Sequence, residues 1–393
     1  MSLWDELILP AGTLDQLRRD ASAERPTHAW LFTGAAGAPH RRAALIFAAA
    51  LLCEQPDPAD RGCGICKGCV TVLNGSHSDF THFRTEAVSI SIDDARELVM
   101  KAQDRPSVGR WRVILMEDTE RMPERTSNVL LKAIEEPPPH TIWLLTAPSP
   151  TDVLVTIRSR CRPVQLPVPA IADVAAKLAA DGVEETLARH AATLAQGDAE
   201  IATRLAHDPA SLQRRETLPL LIMNIRSISS AYAAADRLIT LAEQDAAEAA
   251  AARDEKERTE LLAILGITEG ARISPSLRSQ VRRLEDEQKR RAKRIQSDTL
   301  LRSMTEIQTV LRDVLTLQLN SGSALMNEHA RDALAEFAAR TSAAQTLEHV
   351  QALEVVLGRL RTNANARLLI EGIMGRFVHQ LAPSRPLITR ALG

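Results

Sequence analysis

The chain has 393 residues, 45% of them hydrophobic but only 3% aromatic, and a formal net charge of −2. That length exceeds one ordinary domain, and a core so poor in aromatics is built from Ala, Leu, Val and Ile, which favours helices. The near-neutral balance excludes a global electrostatic pull toward nucleic acid or membrane, and no run approaches the roughly 20 apolar residues of a membrane span.

In chain order, the opening MSLWDELILPAG lacks the basic start and apolar stretch of a signal peptide, so a cytoplasmic protein is expected. Ala29 to Thr33 (AWLFT) reads as a buried strand, followed by the glycine turn GAAGAPHR, Gly34 to Arg41, and an Ala-rich helix. Four of the five cysteines, Cys53, Cys63, Cys66 and Cys69, then fall within 17 residues. In a reducing compartment such clustering points to metal rather than to disulfides. Two-residue spacers let successive thiolates converge, and four thiolates close a tetrahedral shell around Zn²⁺ with no position left for water. The site is therefore expected to be structural. Free thiols and a redox Cys-x-x-Cys pair are the rival readings.

Phe80 to Phe83 is a weaker strand, and the next helix has Ser91 as N-cap with Asp94 as its capping-box partner. Trp111 to Met116 and Thr141 to Thr146 are two more strands, with the helical segment ERTSNVLLKAIEE between them. Strands alternating with helices imply a parallel sheet covered on both faces. Past QLPVPA the β pattern stops. Only helical periodicity follows, with a glycine break at Gly197. Residues of about 232–265 and 275–319 form two long helical patterns around the turn signals GITEGARISP. The second carries the apolar stripe Leu300, Met304, Ile307, Leu311 and Val314, and its charged part offers Glu285–Lys289, Asp286–Arg290 and Glu287–Arg291 at i, i+4. A projecting helical hairpin fits best.

A phosphate loop needs Gly-x-x-x-x-Gly-Lys-Ser/Thr between a strand and a helix. Here Gly34 opens the loop and Gly37 lies within it, but Pro39 stands for the second glycine, His40 for the lysine and Arg41 for the hydroxyl. Proline removes an N–H donor where phosphate must approach. The strand VILM ends in Glu117-Asp118, whereas active sites of this kind end it in Asp-Glu. An ordinary glycine turn and two solvated acids are the bland readings of these segments; together they read as a vestigial nucleotide site.

Residues 127 to 166, SNVLLKAIEEPPPHTIWLLTAPSPTDVLVTIRSRCRPVQL, resemble the clamp-loader branch of the AAA+ family, which carries NALLKxLEEPP and a Ser-Arg-Cys motif. The motif here is Ser159-Arg160-Cys161, and the family's zinc module also lies between the phosphate loop and the Asp-Glu strand. Within the bacterial DNA polymerase III loaders, a zinc module, Ser-Arg-Cys and a ruined phosphate loop are similar to the delta-prime branch rather than to the gamma/tau ATPase. The charged insertion LEDEQKRRAKR is similar to that of actinobacterial chains. The resemblance is dense over about 26–166, with weaker matches near 285–300 and 360–377.

The resemblance implies an α/β AAA+ domain, P-loop NTPase-like, over 1–166 with a zinc module at 53–69. A helical lid over 167–212 and an all-α collar over 213–393, carrying the hairpin at about 232–319, complete it. It implies a subunit that binds no ATP and acts as a stator beside gamma/tau and delta, meeting sliding clamp and primer-template DNA through the complex. Arg160 would act in trans as an arginine finger on the neighbouring gamma/tau site, a contribution of about 10³ or more in rate. Arg158 is its rival on sequence alone, and an own-domain salt bridge is the bland alternative. Cys161 reads as a small buried packing residue. Where the family's nucleotide-sensing arginine is sought after Gly197, the chain has Glu200 and Ile201, with Arg204 one turn later. Two functional alternatives stand beside this: an active gamma/tau-like ATPase, and a zinc-containing adaptor binding DNA through the 281–294 helix with its basic run Lys289, Arg290, Arg291, Lys293 and Arg294. A solvated helix face is the plainer reading of that basic run.

Overall fold

The computed structural model describes residues 2–379 apart from Ala36, Glu86, 266–274 and 361–363. Nearly all of the turn signal at 266–275 therefore lies outside the described residues, as does the start of the segment at 360–377. The chain divides into two compact units, residues 1–85 with 89–209, and 86–88 with 210–393.

The first unit opens with α1 (Ala11–Ser22) and continues through β1 (Ala29–Thr33), α2 (His40–Leu51), α3 (Lys67–Leu73) and β2 (Phe80–Phe83). Next come α4 (Ile92–Ala102), β3 (Arg112–Met116), α5 (Glu124–Glu135), β4 (Thr141–Ala147), α6 (Val155–Arg158) and β5 (Arg162–Gln165). Three further helices, α7 (Ile171–Ala180), α8 (Glu185–Leu194) and α9 (Ala199–His207), belong to the same unit. The strands form one sheet in the order β2-β3-β4-β1-β5, with all neighbours parallel. Parallel pairing buries both faces, so β1, β3 and β4 read as continuous apolar runs and are buried throughout. Alternation within β1 divides the core: Trp30 and Phe32 join one cluster with α2, while Ala29 and Leu31 join the other with α4 and α5. Phe47 of α2 touches both aromatics, with ring centroids 4.9 Å from Trp30 and 5.4 Å from Phe32.

The capping box on α4 forms as expected, Ser91 Oγ accepting from Asp94 N–H at 3.1 Å and Asp94 Oδ2 from Ser91 N–H at 2.9 Å. Strand β5 was not expected. It lies at the sheet edge with three of its four residues exposed, and edge position is what tolerates Pro163 inside a strand.

The second unit is helical. It comprises α10 (Pro209–Met223), α11 (Ile228–Ile264), α12 (Pro275–Gln318), α13 (Arg331–Arg340), α14 (Ala343–Leu360) and α15 (Ala366–His379). The stripe Leu300, Met304, Ile307, Leu311 and Val314 is buried in its core, as its spacing implies. The charged part of α12 corrects an expectation. Arg291 does not run along its own helix toward Glu287; it reaches across to Glu257 of α11 with bonds of 2.6 and 2.9 Å, and to Asp254 at 3.3 Å. Glu285 likewise pairs across with Arg258 at 3.5 Å, while Lys289 pairs with Asp286 at i, i+3 and Arg290 Nε donates to the Asp286 carbonyl. Arg291 and Arg294 are buried, which takes two of the five basic residues away from any phosphate-facing surface. Among the described residues no helix is long and apolar enough to cross a membrane.

Candidate functional site

Strands β1 and β3 both flank β4, so the turns that leave them lie side by side at the carboxyl edge of the sheet, where open α/β sheets bind ligands. The β1 turn delivers Gly34 to Arg41, and the β3 end delivers Glu117 and Asp118. Pro39 caps α2, and His40 begins it with its Nδ1 3.0 Å from the carbonyl of Ala38. Burial, and then the charge of Arg41, push His40 below its ordinary pKa, so the imidazole is neutral at pH 7. Gly37 holds φ +88°, and a Cβ there would lie 3.1 Å from that of Asp198, the N-cap of α9, so an acid closes on the turn.

Arg41 joins the two halves of the site. Its guanidinium bonds Asp118 Oδ1 at 2.5 Å and lies 3.9 Å from Glu117 Oε2. Both acids are buried, Asp118 at 1% relative exposure and in the left-handed region at φ +58°. Arg121 Nε lies 3.5 Å from the other Asp118 oxygen, and the Asp118 N–H faces Thr146 Oγ1 at 3.4 Å. Burial resists ionisation of Glu117, but the His82 hydrogen bond at 2.8 Å, with Arg41 and Arg84, outweighs it and holds the carboxyl below its usual range. Glu120 goes the other way. Burial and the nearby Asp118 charge raise it to about 7. Sequence reasoning found Arg41, Glu117 and Asp118 but missed His82, Arg84, Arg121 and Thr146, which reach the site from separate elements with no shared motif.

The four cysteines form a second centre. Their Sγ atoms all lie within 4.8 Å of one another, with Cys53 3.8 Å from Cys63 and from Cys66, and Cys63 4.0 Å from Cys69. A tetrahedron with metal–sulfur bonds of about 2.3 Å has edges of about 3.8 Å, so the donor set fits a thiophilic divalent ion. Gly62 and Gly64, at φ +85° and +77°, turn the chain into the knuckle. The N–H groups of Cys66 and Cys69 point at the sulfurs of Cys63 and Cys66, at 3.4 and 3.3 Å. Burial opposes ionisation of Cys63, yet the N–H groups of Cys66 and Ile65 prevail and bring that thiol down to about 6, whereas burial raises the thiols of Cys66 and Cys69.

The Ser159-Arg160-Cys161 segment follows α6, apart from both sets of side-chain contacts. Arg160 ion-pairs with Glu135 at the end of α5, and its Nη1 donates to the Thr156 carbonyl at 2.7 Å and faces Ser159 Oγ at 3.3 Å. Arg158 donates to the Pro150 carbonyl at 3.1 Å and is only half exposed. Cys161 is buried, its thiol pushed up to about 12 by that burial. Arg204 lies on the exposed side of α9.

Residues 10–170 match the family described as DNA polymerase III, delta subunit. The DNA polymerase III subunit delta' of Pseudomonas aeruginosa is 37% identical over 147 residues, which cover 37% of this chain and 44% of that protein. The gamma/tau subunit of Mycobacterium tuberculosis is 36% identical over 139 residues, 35% of this chain and 24% of that one. The chain thus spans less than half the length of either relative. A gamma subunit-related DNA polymerase III protein from Thermotoga maritima aligns over 94% of this chain and 100% of its own, at 13% identity and a TM-score of 0.40.

Proposed function

We propose that the chain, whose residues 10–170 match the family described as DNA polymerase III, delta subunit, is a delta-prime type of clamp-loader subunit, one that neither binds nor hydrolyses ATP. The observation that carries this is the Arg41 guanidinium on Asp118 at 2.5 Å. In an active site of this architecture a hydroxyl and a carboxylate hold Mg²⁺, which bridges the β- and γ-phosphates. Here a fixed side-chain cation replaces the hydroxyl and neutralises the carboxylates itself. A neutral His40 replaces the lysine, Pro39 offers no N–H, and Asp198 adds negative charge beside Gly37. Phosphate loses its donors, and the metal loses its ligands.

In this reading the division into an AAA+ domain (1–166), a lid (167–212) and a collar (213–393) serves assembly. The chain is a stator for gamma/tau and delta subunits that place a sliding clamp on primer-template DNA. Cys53, Cys63, Cys66 and Cys69 hold a structural zinc, since four thiolates leave no open position. Arg160 serves a neighbouring gamma/tau site as an arginine finger. It is 38% exposed, and Leu154 and Val155 beside it leave apolar surface open for a neighbour. The likeness to gamma/tau subunits favours a second reading, an active ATPase. Titrating the isolated chain with Mg·ATP while following phosphate release separates the two. Neither binding at millimolar nucleotide nor turnover is expected. Micromolar binding or steady release would overturn the proposal.

A further inference from the structure

The arginine that a neighbour would need is already engaged. The Arg160 side chain meets three groups of its own chain: the Thr156 carbonyl at 2.7 Å, Ser159 Oγ at 3.3 Å and the carboxylate of Glu135. The first two belong to the turn that carries the arginine and travel with it. Glu135 does not. It ends a different helix, α5, and is the first acid of the EEPPP segment, whose prolines stop that helix. Both partners are half exposed, 38% for Arg160 and 43% for Glu135, so water screens the pair and its strength is modest. An interaction of that size does not build a fold. It is large enough to set which way a long side chain points, and weak enough to be displaced by an anion carrying more charge.

We infer that Glu135 is a latch on Arg160: it restrains the guanidinium within the chain until the terminal phosphate of a nucleotide on an adjacent subunit draws it away. This rests on the reading of Arg160 as a finger. A latched arginine is only fractionally competent, and the apparent affinity of the site it serves is lowered by that fraction. Glu135 is then a positioning residue. Replacing it with the neutral isostere removes the competing charge and leaves α5 intact.

The test is steady-state ATP turnover of a complex reconstituted from gamma/tau-type and delta-type subunits with this full chain, as wild type, E135Q, R160A and E135Q/R160A. The latch requires E135Q to lower the apparent KM for ATP about two- to fivefold, the range spanned by a screened ion pair, with kcat within about twofold. It also requires the substitution to have no effect once Arg160 is gone. If R160A lowers turnover but E135Q leaves KM unchanged, the finger stands and the latch falls. A fall in kcat with E135Q would overturn the latch too, because Glu135 would then be orienting the arginine for reaction rather than restraining it. Unchanged turnover with R160A would remove the finger reading, and the latch with it.

Discussion

Removing Arg41 should destabilise the protein even though its side chain is 42% exposed, because the acid it neutralises is not. Asp118 keeps 1% of its side-chain exposure and has one oxygen on Arg41 at 2.5 Å and the other 3.5 Å from Arg121. Breaking a fully buried ion pair from one side costs about 3–5 kcal/mol, since an uncompensated charge stays inside. Arg121 still offsets part of that charge in R41A, and the exposure of Arg41 weakens the original pair, so about 2 kcal/mol is the reasonable loss. For a unit of this size that corresponds to roughly 4–8 °C in unfolding temperature, readable by circular dichroism. The double variant R41A/D118N separates charge from packing. Without the buried charge, most of the loss should return, a coupling of about 1–2 kcal/mol across the cycle. An R41A protein as stable as wild type, or losses that simply add in the double variant, would refute the assignment of Arg41 as the fixed cation of this site.

Protein purified with zinc should retain about one equivalent by elemental analysis, and C63S/C66S should lose it and melt at lower temperature; wild type that retains none would contradict the metal reading. Asp79 is buried, and although that burial opposes ionisation, the N–H groups of Gly109, Ser107 and Val108 lower its pKa to about 2 from an ordinary 3.8. A depressed acid stabilises fully above its unfolded value and loses that contribution as pH falls through its folded one. D79N should therefore lose about 2 kcal/mol in urea melts at pH 7 and show a flatter stability profile between about pH 4 and 2. Glu120, raised to about 7 from 4.5, has the opposite sign. Its protonated form is favoured by the fold, so stability declines as pH rises through this interval, and E120Q should be more stable than wild type at pH 8 by up to about 3 kcal/mol. Equal stability at pH 8 would place that carboxyl in a more polar setting than the one described.

Much of this was legible from residue order. The four cysteines announced their convergence because two-residue spacers bring successive thiols to one point. Ser91 and Asp94 announced a helix start because a capping box is local, and the AWLFT and TIWLLT runs announced buried strands because both faces of a parallel sheet are covered. Other features are set by distant partners. Arg162 to Gln165 carries neither an apolar run nor alternation, and it is a strand because β1 has an open edge beside it. The i, i+4 charges on α12 suggested pairs along one helix, yet Glu257, 34 positions away, outcompetes Glu287 for Arg291. The surroundings of Glu117 and Asp118 draw His82, Arg84 and Arg121 from β2, the residue after it and the turn after β3. No short window holds that constellation. The hold of Glu135 on Arg160 is likewise a product of where α5 and α6 meet.

Everything functional here turns on whether this chain acts on a neighbour's nucleotide rather than on its own. The direct measurement is ATP turnover of a complex reconstituted with gamma/tau-type subunits, in which this chain is proposed to abut a gamma/tau site, wild type against R160A, with assembly checked by gel filtration. With assembly unchanged, a large fall is expected, on the order of 10³ in rate at that site. Turnover that survives the substitution would contradict the trans-acting role and leave the chain a scaffold alone.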